Sequence, residues 1–160
     1  MPFRLSLRRP LPRRWIHAFD SVNAVIFVAA ISEFDQVLYE DEQQNRMVDA
    51  LHLFDEICNS KYFQSTAMIL FLNKRDLFEK KIATKNIADV PPFNDYGLTP
   101  YSYDDGVKYF LNKFLQLNRQ KDKDIYHHVT CATDTKNIEV VFNACKDIIL
   151  KANLEASGFM

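Results

Sequence analysis

Two short stretches of this chain gather side chains that could read a ligand. The first is Asn73-Lys74-Arg75-Asp76, directly after the apolar run Thr66 to Leu72. The second is Thr130-Cys131-Ala132-Thr133-Asp134, directly after a third strand candidate that begins at Ile125. A carboxylate such as that of Asp76 can accept two N–H donors of one ligand at once, each charge-assisted bond being worth about 1.5–3 kcal/mol. An asparagine both donates and accepts, and a backbone N–H such as that of Ala132 donates without any side chain. A single four-residue match of this kind also fits solvated turn residues. Two such stretches at successive strand ends, in order, form a far more specific signal.

Other reactive residue types carry less. His127 and His128 are adjacent in a strand, so they point to opposite faces and cannot easily share one ion. Cys58, Cys131 and Cys145 are scattered without metal-ligand spacing. An odd, dispersed set of cysteines suits buried thiols in a reducing compartment rather than a disulfide framework. Cys58 and Cys145 fall in helical apolar stripes and are expected in the core.

The elements that would position the two loops are legible as apolar patterns. Val22 to Ile31 is a β-branched apolar run, too short for a membrane span and suited to a buried strand. A helix is expected from about Glu40 to Asn59, with Met47, Ala50, Leu51, Phe54, Ile57 and Cys58 on one face. Thr66 to Leu72 is the second strand, and Lys80 to Thr99 reads as irregular, with Pro91-Pro92 breaking any helix. A second amphipathic helix is expected from about Tyr103 to Asn118, followed by a third strand from Ile125 to Cys131. The last helix runs from about Lys136 to Leu154, with Ile138, Val141, Phe142, Cys145, Ile148, Ile149 and Ala152 facing in and Asp134 or Thr135 as its cap. Strands apolar on both faces, separated by helices, predict an α/β fold with a parallel sheet covered on both sides. Ligands of such sheets bind beyond the carboxyl ends of the strands, which is where both loops lie.

The 160 residues fit one domain, and an apolar fraction of 48% argues for a globular fold. A net charge of −1 gives no reason to expect a nucleic-acid partner. The exception to this balance is residues 1–12, a basic, proline-broken arm that reads as a disordered leader or a foreign translated segment, with a basic targeting or docking arm as the alternative. No signal peptide, N-myristoylation pattern or prenylation box is evident, so the sequence supplies no visible lipid anchor.

Asn-Lys-x-Asp after a buried strand, followed by a Ser/Thr-x-Ala loop after the next, resembles the guanine-specificity pair of the GTPase superfamily. The physics suits guanine: Asp76 can accept from both the ring N–H and the exocyclic amino group, a two-point match that adenine lacks. The resemblance is closest to heterotrimeric G-protein α subunits. Arg13-Arg14-Trp15-Ile16-His17-Ala18-Phe19 looks like the helix after that family's second switch. Tyr39 to Met47 and Leu53 to Asn59 are similar to its next helix. Phe71 to Phe78 and Thr130 to Asn137 look like its versions of the base loops, and Thr133 with Lys136 leans toward the inhibitory-type branch. The similarity covers residues 13–160. It implies a three-layer parallel sheet of the P-loop GTPase type, of which only the C-terminal strands and helices are present.

What the resemblance implies about function follows residue by residue. Asn73, Lys74, Arg75, Asp76, Cys131, Ala132 and Thr133 would form the guanine-nucleotide site. The stem of Lys74 would lie over the ring, Asn73 would hold the loops together and the Ala132 N–H would meet the base oxygen. Trp15, His17 and Phe19 would contact the βγ dimer, and Asn153, Leu154, Ser157, Gly158, Phe159 and Met160 the receptor. An effector such as adenylyl cyclase completes the implied partners, and the implied location is the cytoplasmic face of the plasma membrane. Ser157 stands where many inhibitory-type members carry the cysteine modified by pertussis toxin, which implies resistance to it.

The cofactor would be GTP or GDP with Mg²⁺, but a phosphate-binding G-x-x-x-x-G-K-[ST] loop is missing from these residues. The glycines are Gly97, Gly106 and Gly158, none in such a context, and no Asp-x-x-Gly-Gln box precedes Arg13. The usual Mg²⁺ ligands, catalytic glutamine and cis arginine are missing with them, so only the base-contact half of a site is expected and no turnover. A strand at Val22 to Ile31 without its inner neighbour predicts an aggregation-prone edge and poor solubility. Three readings stay open: a transducing α subunit, a non-catalytic interaction fragment that binds receptor or effector, and an incomplete gene model.

Overall fold

The computed structural model describes residues 22–158. Three strands, β1 (Ala24–Ala30), β2 (Ala67–Asn73) and β3 (Ile125–Val129), alternate with helices α1 (Arg46–Cys58), α2 (Arg75–Ile82), α3 (Tyr103–Leu115) and α4 (Thr135–Ala156). All pairings are parallel, in the order β1-β2-β3. Parallel neighbours need long crossovers, which the helices provide. The register sets Ala30 beside Asn73 and Leu72 beside Val129, so the three carboxyl ends finish together. The expected α/β class is therefore the one the chain adopts.

Side chains alternate across the sheet and split the core in two. On one face Phe27, Ala29, Met68, Leu70 and Leu72 meet Phe54 of α1, Phe78 of α2, and Phe110 and Phe114 of α3. Edge-on ring contacts join Phe27 to Phe54 at 5.2 Å and Phe54 to Phe114 at 5.3 Å. On the other face, Ile69 packs against Val141 and Cys145 of α4, and Cys58 sits in the first core. His128 packs edge-on against Phe71, its neighbour in register, whereas His127 is exposed.

Several expectations need correction. The first helix starts at Arg46 rather than Glu40, because Asn45 stops it. The Asn45 side chain accepts from the N–H groups of Met47 and Val48 and donates to the Phe34 carbonyl at 2.7 Å. The stretch read as irregular from Lys80 contains the end of α2, then single 3-10 turns at Ile87–Asp89 and Pro91–Phe93. Eight residues are too few for a clear apolar period, so this helix was invisible in the sequence. The third strand ends at Val129, although Thr130 still donates its N–H to the Leu72 carbonyl at 2.8 Å.

The largest correction concerns the face under α4. Ile138 and Phe142 were expected to face in, yet they are 46% and 63% exposed. Ile26 and Val28 of β1 are 49% and 56% exposed, so this strand is covered on one face only among the described residues. Helix α4 lies over β2, where Ile69 is buried, and leaves the flank above β1 open. No helix among the described residues is long and apolar enough to cross a membrane.

Helix α2 is held by charge as well as by Phe78. Lys81 donates to the Ser32 carbonyl and to Asp35 Oδ1, both at 2.6 Å, and Lys85 donates to Asp35 Oδ2 at 2.8 Å. Burial alone would raise the Asp35 pKa, but the hydrogen bonds and charges of the two lysines bring it below the ordinary 3.8. A depressed folded value means the stabilisation is complete above 3.8 and is lost as pH falls through the folded value. Asp35→Asn is therefore expected to cost about 1 kcal/mol at neutral pH and to flatten the acid limb of melting temperature against pH. An unchanged acid limb would count against this assignment.

Gly106 lies in α3 where a side chain has no room. A Cβ there would stand 2.9 Å from Phe78 Cζ and 3.2 Å from Ile87 Cδ1. Alanine gains about 1 kcal/mol of helix propensity over glycine, but displacing a fully buried ring costs about 1–3 kcal/mol. Gly106→Ala is expected to be net destabilising by about 1 kcal/mol, measured by urea unfolding; a stabilised variant would show that Phe78 can yield.

Candidate functional site

The loops after β2 and β3 are tied to each other by backbone and side chain. Asn73 ends β2, and its Oδ1 accepts from the Thr130 hydroxyl at 3.1 Å. The Arg75 N–H donates to the Thr130 carbonyl at 3.2 Å. Between them Lys74 takes a left-handed backbone, φ 61°, as the N-cap of α2. That conformation is uncommon for a residue with a Cβ, and it turns the chain from strand to helix within one residue. Arg75 and Asp76 thus form the first turn of α2 rather than an open loop. The Asp76 carboxylate is half-buried and makes no hydrogen bond or ion pair with other described residues.

The second loop is organised around the start of α4. Asp134 Oδ1 accepts from the N–H groups of Lys136 and Asn137, both at 3.1 Å, as a helix N-cap. Asn137 Oδ1 in turn accepts from the Cys131 N–H at 2.9 Å. Cys131 Sγ and the Thr133 hydroxyl are 3.0 Å apart, while Ala132 and Thr133 are exposed. Arg75 bridges the loops again, its Nη2 lying 3.3 Å from Asp134 Oδ2. The structure therefore brings Asn73, Lys74, Arg75, Asp76, Cys131, Ala132 and Thr133 together just beyond the carboxyl ends of β2 and β3.

One residue of this neighbourhood escaped sequence reasoning. Glu33, in the 3-10 turn Ile31–Glu33 after β1, pairs with Lys74 Nζ at 2.9 Å and with Arg46 Nη1 at 3.5 Å. Burial alone would raise the Glu33 pKa, but the hydrogen bond and charge of Lys74, then the charge of Arg46, bring it below the ordinary 4.5. Its place just beyond a strand carboxyl end was the one available signal.

The remaining predicted contacts lie elsewhere. Asn153 and Leu154 are exposed on the last turns of α4, which at 22 residues is about 33 Å long. The Ser157 hydroxyl donates to the carbonyls of Asn153 and Leu154 at 2.9 and 3.0 Å, and Gly158 follows with φ 77°. Trp15, His17, Phe19, Phe159 and Met160, like the arm at 1–12, lie outside the described residues. Among the described residues no cluster of histidine, cysteine or acidic side chains could hold a metal ion.

Comparison with known proteins points to a single family. A family model described as the G-protein alpha subunit matches residues 7–149. The guanine nucleotide-binding protein alpha-3 subunit of Caenorhabditis elegans is 47% identical over 156 residues, covering 98% of this chain and 43% of the relative. The alpha-1 subunit of Mycosarcoma maydis is 48% identical over 158 residues, covering 99% and 44%. The chain thus spans less than half the length of these relatives.

Proposed function

The chain belongs to the G-protein α-subunit family, and from that premise we propose that its cross-tied strand-end loops recognise the guanine base of GTP or GDP. Asp76 accepts from the ring N–H and the exocyclic amino group, the Ala132 N–H donates to the base oxygen, and the stem of Lys74 covers one ring face. Asn73 serves through its bond with Thr130, which holds the two loops together. The observation that carries this reading is a half-buried carboxylate at the start of α2, without a polar partner among the described residues, beside a second loop fixed to the first by three polar contacts. Its donor and acceptor pattern fits the base.

In the wider reading the chain contributes to a transducer of G-protein-coupled receptor signalling at the inner face of the plasma membrane. Trp15, His17 and Phe19 serve a βγ dimer, the end of α4 with Asn153, Leu154, Ser157, Gly158, Phe159 and Met160 serves a receptor, and an effector such as adenylyl cyclase lies downstream. The 160 residues contain no phosphate-binding loop motif. Phosphate contacts and hydrolysis are accordingly not assigned to these residues. A second reading, a non-catalytic interaction module, is favoured by the open apolar flank of Ile26, Val28, Ile138 and Phe142.

The test is a titration of the 160-residue chain with guanosine and adenosine, followed by amide NMR. Guanosine is expected to shift the amides of residues 73–76 and 131–133, GDP to bind about as well as guanosine, and adenosine to leave the spectrum unchanged. Equal responses to the two nucleosides would sink the guanine reading, and measurable GTP turnover would overturn the assignment of the base half alone.

A further inference from the structure

We propose that Glu33 is a positioning residue of the base site, holding the Lys74 side chain stretched so that its stem is set to receive the purine ring. The proposal rests on the guanine reading above. Lysine is a poor platform by itself, because its four-carbon stem is rotamer-rich and ordering it on binding weakens affinity. Here both ends are anchored before any ligand arrives. The backbone end is fixed in the left-handed region, with the Lys74 carbonyl accepting from the Phe78 N–H at 3.0 Å and the next residue's N–H bonded to Thr130. The ammonium end is fixed on Glu33 Oε1 at 2.9 Å, from a segment 41 residues earlier in the chain.

Glu33 is itself held. Its other oxygen lies 3.5 Å from Arg46 Nη1, and Arg46 Nε donates to the Val37 carbonyl at 3.0 Å. The Glu33 side chain is 22% exposed whereas that of Lys74 is 44% exposed. The anchor is thus the more enclosed partner, and the lysine keeps an open side for a ring. Three elements meet in this arrangement: the end of β1, the start of α1 and the start of α2. Its geometry sets a side chain already assigned to ligand binding rather than adding a new contact to the ligand.

The experiment is a double-mutant cycle read by guanosine titration of the 160-residue chain. Glu33→Gln is expected to weaken guanosine binding about threefold, the scale of a half-exposed ion pair, and to remove the pH dependence of affinity as Glu33 protonates. In the Lys74→Met background the same change is expected to have no further effect, because the side chain it positions has lost its charge. Glu33→Asp, which keeps the charge, is expected to retain most of the affinity, and Glu33→Ala takes the place of Glu33→Gln if that variant fails to fold. Guanosine affinity unchanged in Glu33→Gln, or an equal loss with and without Lys74→Met, would overturn the positioning role alone. Failure of the native chain to bind guanosine would remove the guanine reading and this proposal together.

Discussion

Replacing Asp76 with alanine is expected to remove guanosine binding, weakening it at least about a hundredfold, while leaving the fold almost unchanged. The size follows from two charge-assisted hydrogen bonds lost together, about 3–6 kcal/mol in sum. The selectivity of the effect follows from the structure. Asp76 makes no hydrogen bond or ion pair with other described residues, so its removal leaves no buried partner stranded. Its negative charge in the first turn of α2 is worth about 0.3–1 kcal/mol against the helix dipole. Affinity and melting temperature should therefore separate cleanly. A variant that keeps guanosine affinity within a few fold would show that the carboxylate does not read the base.

Phe110→Ala is expected to have the largest effect on stability, a loss of about 3–5 kcal/mol. Phe110 is fully buried at the centre of the aromatic cluster, with ring centroids 5.2 Å from Phe93, 5.7 Å from Phe34 and 6.2 Å from Phe78. These neighbours come from three separate segments and cannot collapse together into the space left. Phe34 lies beside the turn that carries Glu33, and Phe78 lies on the helix that carries Asp76. Loss of this ring therefore loosens the supports of the base loops as well as the core. With total stabilities of about 5–15 kcal/mol, the variant should melt on the order of 10–20 °C lower. Val140→Ala, at an exposed position of α4, should fall within about 0.5 kcal/mol of the native chain. A shift of only a few degrees for Phe110→Ala would mean that the ring cluster is not the keystone of this face.

Much of the fold was legible because the apolar period is a local property. Short, nearly continuous apolar runs identify β1 and β2, and the stripes at Met47, Phe54 and Cys58 and at Phe110 and Phe114 identify α1 and α3. Boundaries were less legible. The start of α1 depends on Asn45 donating to Phe34 across eleven residues, which no local pattern announces. The short α2 was hidden because four of its eight residues are charged lysine, arginine or glutamate and the fifth polar position is Asp76.

The candidate site divides in the same way. The sequence by itself determined which residue types stand at the ends of two successive strands, and their order along the chain was enough to suggest a base-reading pair. Only the tertiary structure decided that β2 and β3 are neighbours in parallel register, which places Thr130 on Asn73 and Arg75 on Asp134 across 57 and 59 residues. It also decided that Glu33 reaches Lys74, and that Ile138 and Phe142 stand open to solvent instead of facing a core. The physical reason is the same in each case. Periodicity and turn chemistry act over a few residues and are written locally, whereas pairing and burial depend on which distant element arrives alongside.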